Sequence, residues 1–227
     1  MSGIALGLAL TRERLRGVSA PLVLLLGAVA VFAWGVLLRR GHPSSAADET
    51  LGFAVFGCAL PVFSYLFCER VCAGQSLTRS VEGVTRHGAQ RRAVLFGVLL
   101  GSALGMALSS AVLTLAALLG AHPAGSALTN DLRASLGVAL LAGAVYALWF
   151  AAAARFGRRG SGRKWALILD FLLGAGGSVL ALPWPRGHVR NLLGGEPVLG
   201  LSQAGAMVAL ALIGALCLAV CLAGTPD

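Results

Sequence analysis

Long runs of apolar residues alternate with short polar segments along the whole chain. Each run is close to or above the about 20 residues that an α-helix needs to cross the hydrocarbon core of a bilayer. The pattern therefore predicts an all-α, polytopic membrane protein, a single transmembrane domain over residues 1–227. Its six predicted spans are residues 19–38, 51–68, 93–120, 134–154, 165–184 and 198–223.

The segment before the first span begins apolar and then turns charged. Ile4, Leu6, Leu8 and Leu10 are followed by a charged cluster that starts at Arg12. With those charges included, residues 1–17 are too short to span a bilayer, so we predict a helix that lies at the membrane interface. The alternative is a frayed tail whose charges only orient the first span.

The basic residues are distributed unevenly between alternate loops. Because lysine and arginine in short loops stay on the cytoplasmic side, the distribution places both termini in the cytosol of a bacterial-type inner membrane. Thirteen of the eighteen basic residues then face the cytosol: Arg12, Arg14, Arg16, Arg70, Arg79, Arg86, Arg91, Arg92, Arg155, Arg158, Arg159, Arg163 and Lys164. The net charge of +9 is explained by this topology, and no nucleic-acid partner is expected, since the charges are split over three small segments.

The loop between the second and third spans carries a short amphipathic pattern. Leu77, Val81 and Val84 recur at helical spacing and predict a short helix with one apolar face. An isolated helix of this length is marginal in water, so it must pack against something. We expect the membrane surface or a partner protein to cover that face.

Glycines recur every four residues at the start of the third span. Gly97, Gly101 and Gly105 lie on one face of a helix and allow another helix to approach closely. This helix-packing face predicts either a contact between subunits or ordinary packing within the chain.

Two further features lie in the fourth and fifth predicted spans. Tyr146, Trp149 and Phe150 near the end of the fourth span predict a lipid-facing or interfacial helix with an aromatic anchor. Asp170 lies five positions after Trp165, roughly 8 Å into the fifth span. A carboxylate there predicts a polar site that lines a substrate path or pairs across the bundle. The alternative is that it reaches back toward Arg163 and Lys164 at the end of the span.

The residues offer little enzyme chemistry. The sequence contains neither an HExxH motif nor a GxxxxGK[ST] phosphate loop, and no histidine falls within a predicted span. Two cysteine pairs, Cys68 with Cys72 and Cys217 with Cys221, are each four residues apart and would meet only if the second and sixth spans touch. Because buried cysteine usually behaves as a small hydrophobe, we expect no metal site. Since the enzyme motifs are missing, we also expect no cofactor and no catalytic residue.

The loop after the second span also carries a family resemblance. Two features of the chain resemble the permease subunit of type-2 ATP-binding-cassette exporters. One is the N-terminal helix over Leu8 to Arg16. The other is a set of loop residues in a fixed order: Glu69, Arg70, Gly74, Gly83, Arg86, Arg91 and Arg92. In that family the loop helix docks on a separate cytosolic P-loop ATPase, and two permease copies pair with the substrate path between them. The resemblance implies that ATPase coupling is carried by Glu69, Arg70, Leu77, Val81 and Arg86.

Two functions are therefore expected as alternatives. The first is the membrane-spanning subunit of an ATP-driven exporter, in which a charge in place of Leu77 or Val81 uncouples ATPase from transport without unfolding the spans. The second is a non-transporting scaffold or assembly subunit of a larger membrane complex. In the scaffold, Asp170 and the face formed by Gly97, Gly101 and Gly105 would serve oligomer formation.

Overall fold

The computed structural model describes residues 2–17, 19–122 and 128–223. Every regular element in these ranges is helical, and they contain no β-strand, so the all-α prediction is confirmed. The helices in chain order are α1 (Gly3–Leu15), α2 (Ser19–Gly41), α3 (Ala46–Val71), α4 (Leu77–Ser80), α5 (Glu82–Thr85), α6 (Arg91–Ala121), α7 (Leu128–Ala153), α8 (Gly162–Leu173), α9 (Pro185–Leu192) and α10 (Gln203–Leu222). Within α3, residues Thr50–Ala59 have π-helical hydrogen bonding that ends just before Pro61.

Five helices are long and apolar enough to cross a membrane. They are α2, α3, α6, the Asp131–Ala153 part of α7, and α10, with 20 to 31 residues each. These lengths and compositions are those of a multi-pass membrane protein. Five of the six predicted spans thus have a matching helix.

The prediction that residues 165–184 form one continuous spanning helix is wrong. The 12 residues of α8 rise only about 18 Å, which is less than the about 30 Å of a hydrocarbon core. The chain leaves the helix at Gly174, passes through a 3₁₀ turn at Val179–Ala181 and re-forms a helix only in α9. Glycines at 174, 176 and 177 followed by Ser178 explain the break, because glycine is a poor helix former.

Helix α6 lies at the centre of the bundle and is covered from two sides. Gly7 of α1 packs against the backbone near Gly97, and Gly35 of α2 packs against Gly120. Helix α7 runs antiparallel to α6, since Gly143 lies against Met106 while residues near the start of α7 lie beside the end of α6. The buried core is formed mainly between α6, α7 and α3.

The N-terminal helix packs on the bundle rather than standing apart from it. Gly3 lies against Ala93, Gly7 against Gly97 and Thr11 against Gly101, so α1 and α6 run parallel. Thr11 is buried, and its hydroxyl donates to the carbonyl of Gly7 at 3.1 Å. The structure contains a helix in the predicted N-terminal segment. Its close contact with α6 was not predicted from the sequence.

The glycine face of α6 is occupied within the chain. Gly97 contacts α1, Gly101 contacts Thr11, and Gly105 lies against the ring of Phe67. Of the two interpretations of this face, the described contacts correspond to ordinary packing within the chain. The glycines allow α1 and α3 to approach α6 closely.

The aromatic residues of α7 lie in the core and not at a lipid-facing surface. Tyr146 and Phe150 are fully buried, and the Phe150 ring lies 6.1 Å from that of Tyr65. Trp149 packs edge-on against Trp184 with ring centroids 5.5 Å apart. The prediction of a lipid-facing anchor is wrong because aromatic rings serve cores and interfaces equally well.

Candidate functional site

Three basic segments meet at one end of the bundle, which we call the basic end. It comprises the end of α1, the loop 72–90 and the loop 154–161. Arg14 donates to the carbonyls of Val71 and Ser80, and the Nε of Arg70 donates to the carbonyl of Arg14 at 2.9 Å. Arg155 donates to the carbonyl of Val220 near the end of α10. Charged donors bound to carbonyl acceptors tie the segments to one another.

Glu69 and Arg163 form the closest ion pair at this end among the described residues. Arg163 Nη2 lies 2.7 Å from Glu69 Oε2, and Arg163 also donates to the carbonyl of Gln75 at 2.9 Å. The Arg163 side chain is 3% exposed, whereas that of Glu69 is 38% exposed. Glu69, predicted to contact an ATPase, is thus engaged within the chain, where it joins the end of α3 to the start of α8.

The predicted loop helix is divided into two single turns, α4 and α5, that separate at Val81. Leu77 and Val81 are buried, at 1% and 0% exposure, and belong to the bundle core. The Leu77 amide also donates to the carbonyl of Ala154 at 3.2 Å. The expectation that the membrane surface or a partner covers this apolar face is wrong, because the chain's own helix ends cover it.

The outward face of the loop is polar and positively charged. Arg79, Gly83 and Arg86 are exposed there. Arg79 and Arg159 border a shallow cavity of about 340 Å³ together with Gly74 and Gln75. Of the predicted coupling residues, Arg86 is exposed, Arg70 and Glu69 are half-buried, and the two apolar ones are inside. An acidic surface is the natural complement of this face.

Asp170 lies fully buried in the middle of the bundle, at a contact between three helices. Its Oδ2 accepts a hydrogen bond from the Tyr146 hydroxyl at 2.9 Å, and its Oδ1 accepts one from the Arg186 amide at 3.4 Å. Arg186 is the second residue of α9, so the carboxylate lies at that helix's N-terminus, where free N–H groups and the helix dipole favour a negative charge. Asp170 therefore pairs across the bundle. The alternative, a reach back toward Arg163, is wrong because that guanidinium binds Glu69.

Arg186 was not identified as a site residue from the sequence. Its guanidinium carbon lies 4.6 Å from the centre of the Phe171 ring, and Nη1 donates to the Phe171 carbonyl at 3.4 Å. The useful signal is Pro185, because proline at the first helical position marks a helix start. A helix that begins there brings Arg186 beside α8.

The first cysteine pair lies at the end of α3. Cys68 and Cys72 are buried with their sulfurs 3.9 Å apart. The hydrogen bond with Cys68 and the nearby guanidinium of Arg163 lower the pKa of Cys72, although burial acts in the opposite direction. Within the described ranges, no group of three or more histidine, cysteine or acidic residues is placed to hold a metal ion.

No family model, curated protein or solved structure matches the chain.

Proposed function

We propose that the chain is the membrane-spanning subunit of an ATP-driven exporter, which pairs with a second permease copy and couples to a separate cytosolic P-loop ATPase. The basic end faces the cytosol in this proposal, since thirteen of eighteen basic residues then lie on the side where positive charge is retained. The five apolar helices are embedded in the lipid bilayer. ATP hydrolysis takes place on the partner.

The observation that carries the proposal is the position of α8 between the loop and the middle of the bundle. At its start, Arg163 binds Glu69 and the carbonyl of Gln75. About 10 Å further along the helix, Asp170 binds the first turn of α9. A displacement of the loop 72–90 would thus be passed by one short helix to the interior of the bundle, as coupling of a cytosolic motor to a substrate path requires.

The loop is built to transmit force rather than to bind through apolar side chains. Because Leu77 and Val81 are anchored in the core, the loop cannot move without moving the helix ends that surround it. The ATPase would dock on the exposed side, where Arg79 and Arg86 meet an acidic groove. A charge in place of Leu77 would damage the core, so it does not test docking selectively.

A groove beside α2 offers surface for the second copy. It measures about 580 Å³ and lies between α2, α3 and the end of α1. Leu24, Phe63 and Phe67 line its apolar wall, and Glu69 with Arg70 lies at the basic end. Helix α2 is the least covered span, since only 11% of its 18-residue apolar stretch is buried.

The test is purification of the tagged full chain from its native membranes in mild detergent, with identification of co-purifying proteins and an ATPase assay. We expect a stoichiometric P-loop ATPase. In the double variant Arg79→Glu with Arg86→Glu, recovery of the ATPase should fall about tenfold or more, since two charges oppose the acidic partner. Arg40→Glu, an exposed arginine at the opposite end, is the matched control and should retain it.

Recovery of membrane subunits alone, with no nucleotide hydrolysis, would contradict the exporter and favour the scaffold. Under the scaffold hypothesis, the Arg79 and Arg86 variants would leave the complex intact. A bulky residue at Gly101 would displace α1 from α6 within the same chain, so this substitution does not distinguish the two functions.

A further inference from the structure

A second polar cavity lies between α3 and α9, away from the basic end. Its volume is about 490 Å³, within the range of roughly 300–1,000 Å³ that is typical of small-ligand sites. Its lining includes both charge signs, aromatic rings and glycine, as shown by Asp48, Glu49, Phe53, Gly57, Arg186 and Arg190.

The charged residues are ordered along the depth of this cavity. Arg186 marks the deep end, where its Nη2 lies 3.6 Å from the position a Cβ would take on Gly57. Arg190 lies one helical turn, about 6 Å, nearer the end of the bundle. Asp48 borders the shallow end together with Gly194. Acidic groups thus form the rim, and guanidinium groups lie below them.

Much of this charge is available to a ligand. Within the described residues, neither Arg186 nor Asp48 has an ion-pair partner within 4 Å. Arg190 donates through Nη1 to the carbonyl of Ala175, and its contact with Glu196 is long, at 3.9 Å. The Arg186 guanidinium instead rests on the Phe171 ring. Arg186 interacts with the Asp170 charge through space but forms no direct ion pair with it, and its Nη1 is bound to the Phe171 carbonyl. Its Nη2, beside Gly57, is the donor that remains for a phosphate oxygen.

One side of the cavity is open toward the lipid-facing surface. Phe53 is 59% exposed and lies 6.1 Å from the ring of Trp34, which is also exposed. A Cβ placed on Gly52 would meet no atom within 4 Å. A ligand in the cavity therefore has an apolar path along α3 for an acyl chain.

From this geometry we infer that the cavity binds a zwitterionic phospholipid with a phosphoethanolamine headgroup. The phosphate lies against Arg186 and Arg190, the ammonium group against Asp48 and Glu49 at the rim, and the chains pass Phe53. This order, from ammonium through phosphate to hydrocarbon, is the order of such a lipid from the membrane surface inward. Binding stands apart from the proposed export, whereas a role of this lipid as the exported substrate rests on it.

Native mass spectrometry of the purified full chain in detergent tests the inference. The probes are phosphatidylethanolamine, phosphatidylglycerol, diacylglycerol and water-soluble phosphoethanolamine. We expect phosphatidylethanolamine to be retained about tenfold more than diacylglycerol and about threefold more than phosphatidylglycerol. Equal retention of all three lipids would overturn the site. Equal binding of soluble phosphoethanolamine would overturn its assignment to a lipid.

Variants then locate the binding. A Cβ on Gly52 meets no atom within 4 Å, so Gly52→Leu places a side chain in the cavity and should reduce phosphatidylethanolamine retention about tenfold. Gly137→Leu is the matched control, because this glycine of α7 is also open, with no atom within 4 Å of its Cβ position, and lies outside the cavity. Unchanged retention in Gly52→Leu would place the lipid elsewhere.

Charge variants separate the two halves of the headgroup. Asp48→Asn combined with Glu49→Gln should abolish the preference for phosphatidylethanolamine over phosphatidylglycerol. Arg186→Gln should lower the retention of both, while the backbone amide that binds Asp170 is kept. A preserved preference in the first variant, or preserved retention in the second, would contradict the assigned contacts. None of these readouts requires an ATPase, so failure here is distinct from failure of the export proposal.

Discussion

The basic end and the broken helix between α8 and α9 are both polar regions in an apolar bundle, but they are organised differently. At the basic end, arginines bind carbonyls of neighbouring segments, and Leu77 and Val81 anchor the loop in the core. At the broken helix, one carboxylate holds the start of α9, and a cavity of about 490 Å³ remains beside it. Both regions are connected to their surroundings, the basic end by charged donors and α9 by the burial of most of its residues.

Loss of Glu69 should have the largest effect, because it leaves a buried guanidinium without its counter-charge. We expect Glu69→Ala to lower the free energy of unfolding by about 3 kcal/mol, the lower part of the range for such lesions. The measurement is reversible unfolding in mixed detergent micelles. Glu13→Ala is the control, since the Glu13–Arg16 pair is exposed at 71% and 65% and is worth under about 1 kcal/mol. Equal losses in the two variants would contradict the internal role of Glu69.

A bulky residue at Gly97 should separate α1 from α6. A Cβ added to Gly97 would face the carbonyl of Ile4 and lie 3.0 Å from the Cα of Gly7. Gly97→Leu should therefore lower the free energy of unfolding by about 1–3 kcal/mol. Protease cleavage within residues 3–15 should also become faster. Gly137→Leu, at an open site, provides the comparison, and equal cleavage rates would show that α1 does not depend on this contact.

Removal of the Tyr146 hydroxyl should weaken the broken-helix region alone. Tyr146→Phe deletes one hydrogen bond to a buried carboxylate and should cost about 1–3 kcal/mol. Tyr65→Phe is the matched control, because Tyr65 has no side-chain hydrogen bond within the described part of the chain, and its effect should stay within about 0.5 kcal/mol. A loss in Tyr146→Phe no larger than that in Tyr65→Phe would mean that the hydrogen bond from Tyr146 to Asp170 does not stabilise this region.

Hydropathy predicts the five continuous membrane-length helices but not the break in the predicted fifth span. The five matched spans follow from apolar runs, whose length sets whether a bilayer is crossed. Residues 165–184 have the same average character, yet three glycines and Ser178 within five positions end the helix at Leu173. Averaged hydropathy does not register this local loss of helix propensity.

Glu69 was named by the family resemblance and Asp170 by its depth in the predicted fifth span, but a single sequence does not tell which basic residue each faces. Arg163 was counted as a topology charge and as an alternative partner of Asp170, and Arg186 was not singled out. Likewise, the spacing of Leu77 and Val81 correctly indicated one apolar face, whereas what covers that face depends on where α7 and α3 end.

Hydrogen exchange by mass spectrometry on the purified full chain, together with the P-loop ATPase that we propose as its partner and with or without a non-hydrolysable ATP analogue, tests the central claim most directly. We predict that nucleotide changes exchange both in the loop 72–90 and in α9, and that Glu69→Gln, which retains the size of the side chain but not its charge, abolishes the change in α9 alone. A nucleotide response confined to the loop, with α9 unaffected in the native chain, would contradict transmission through α8.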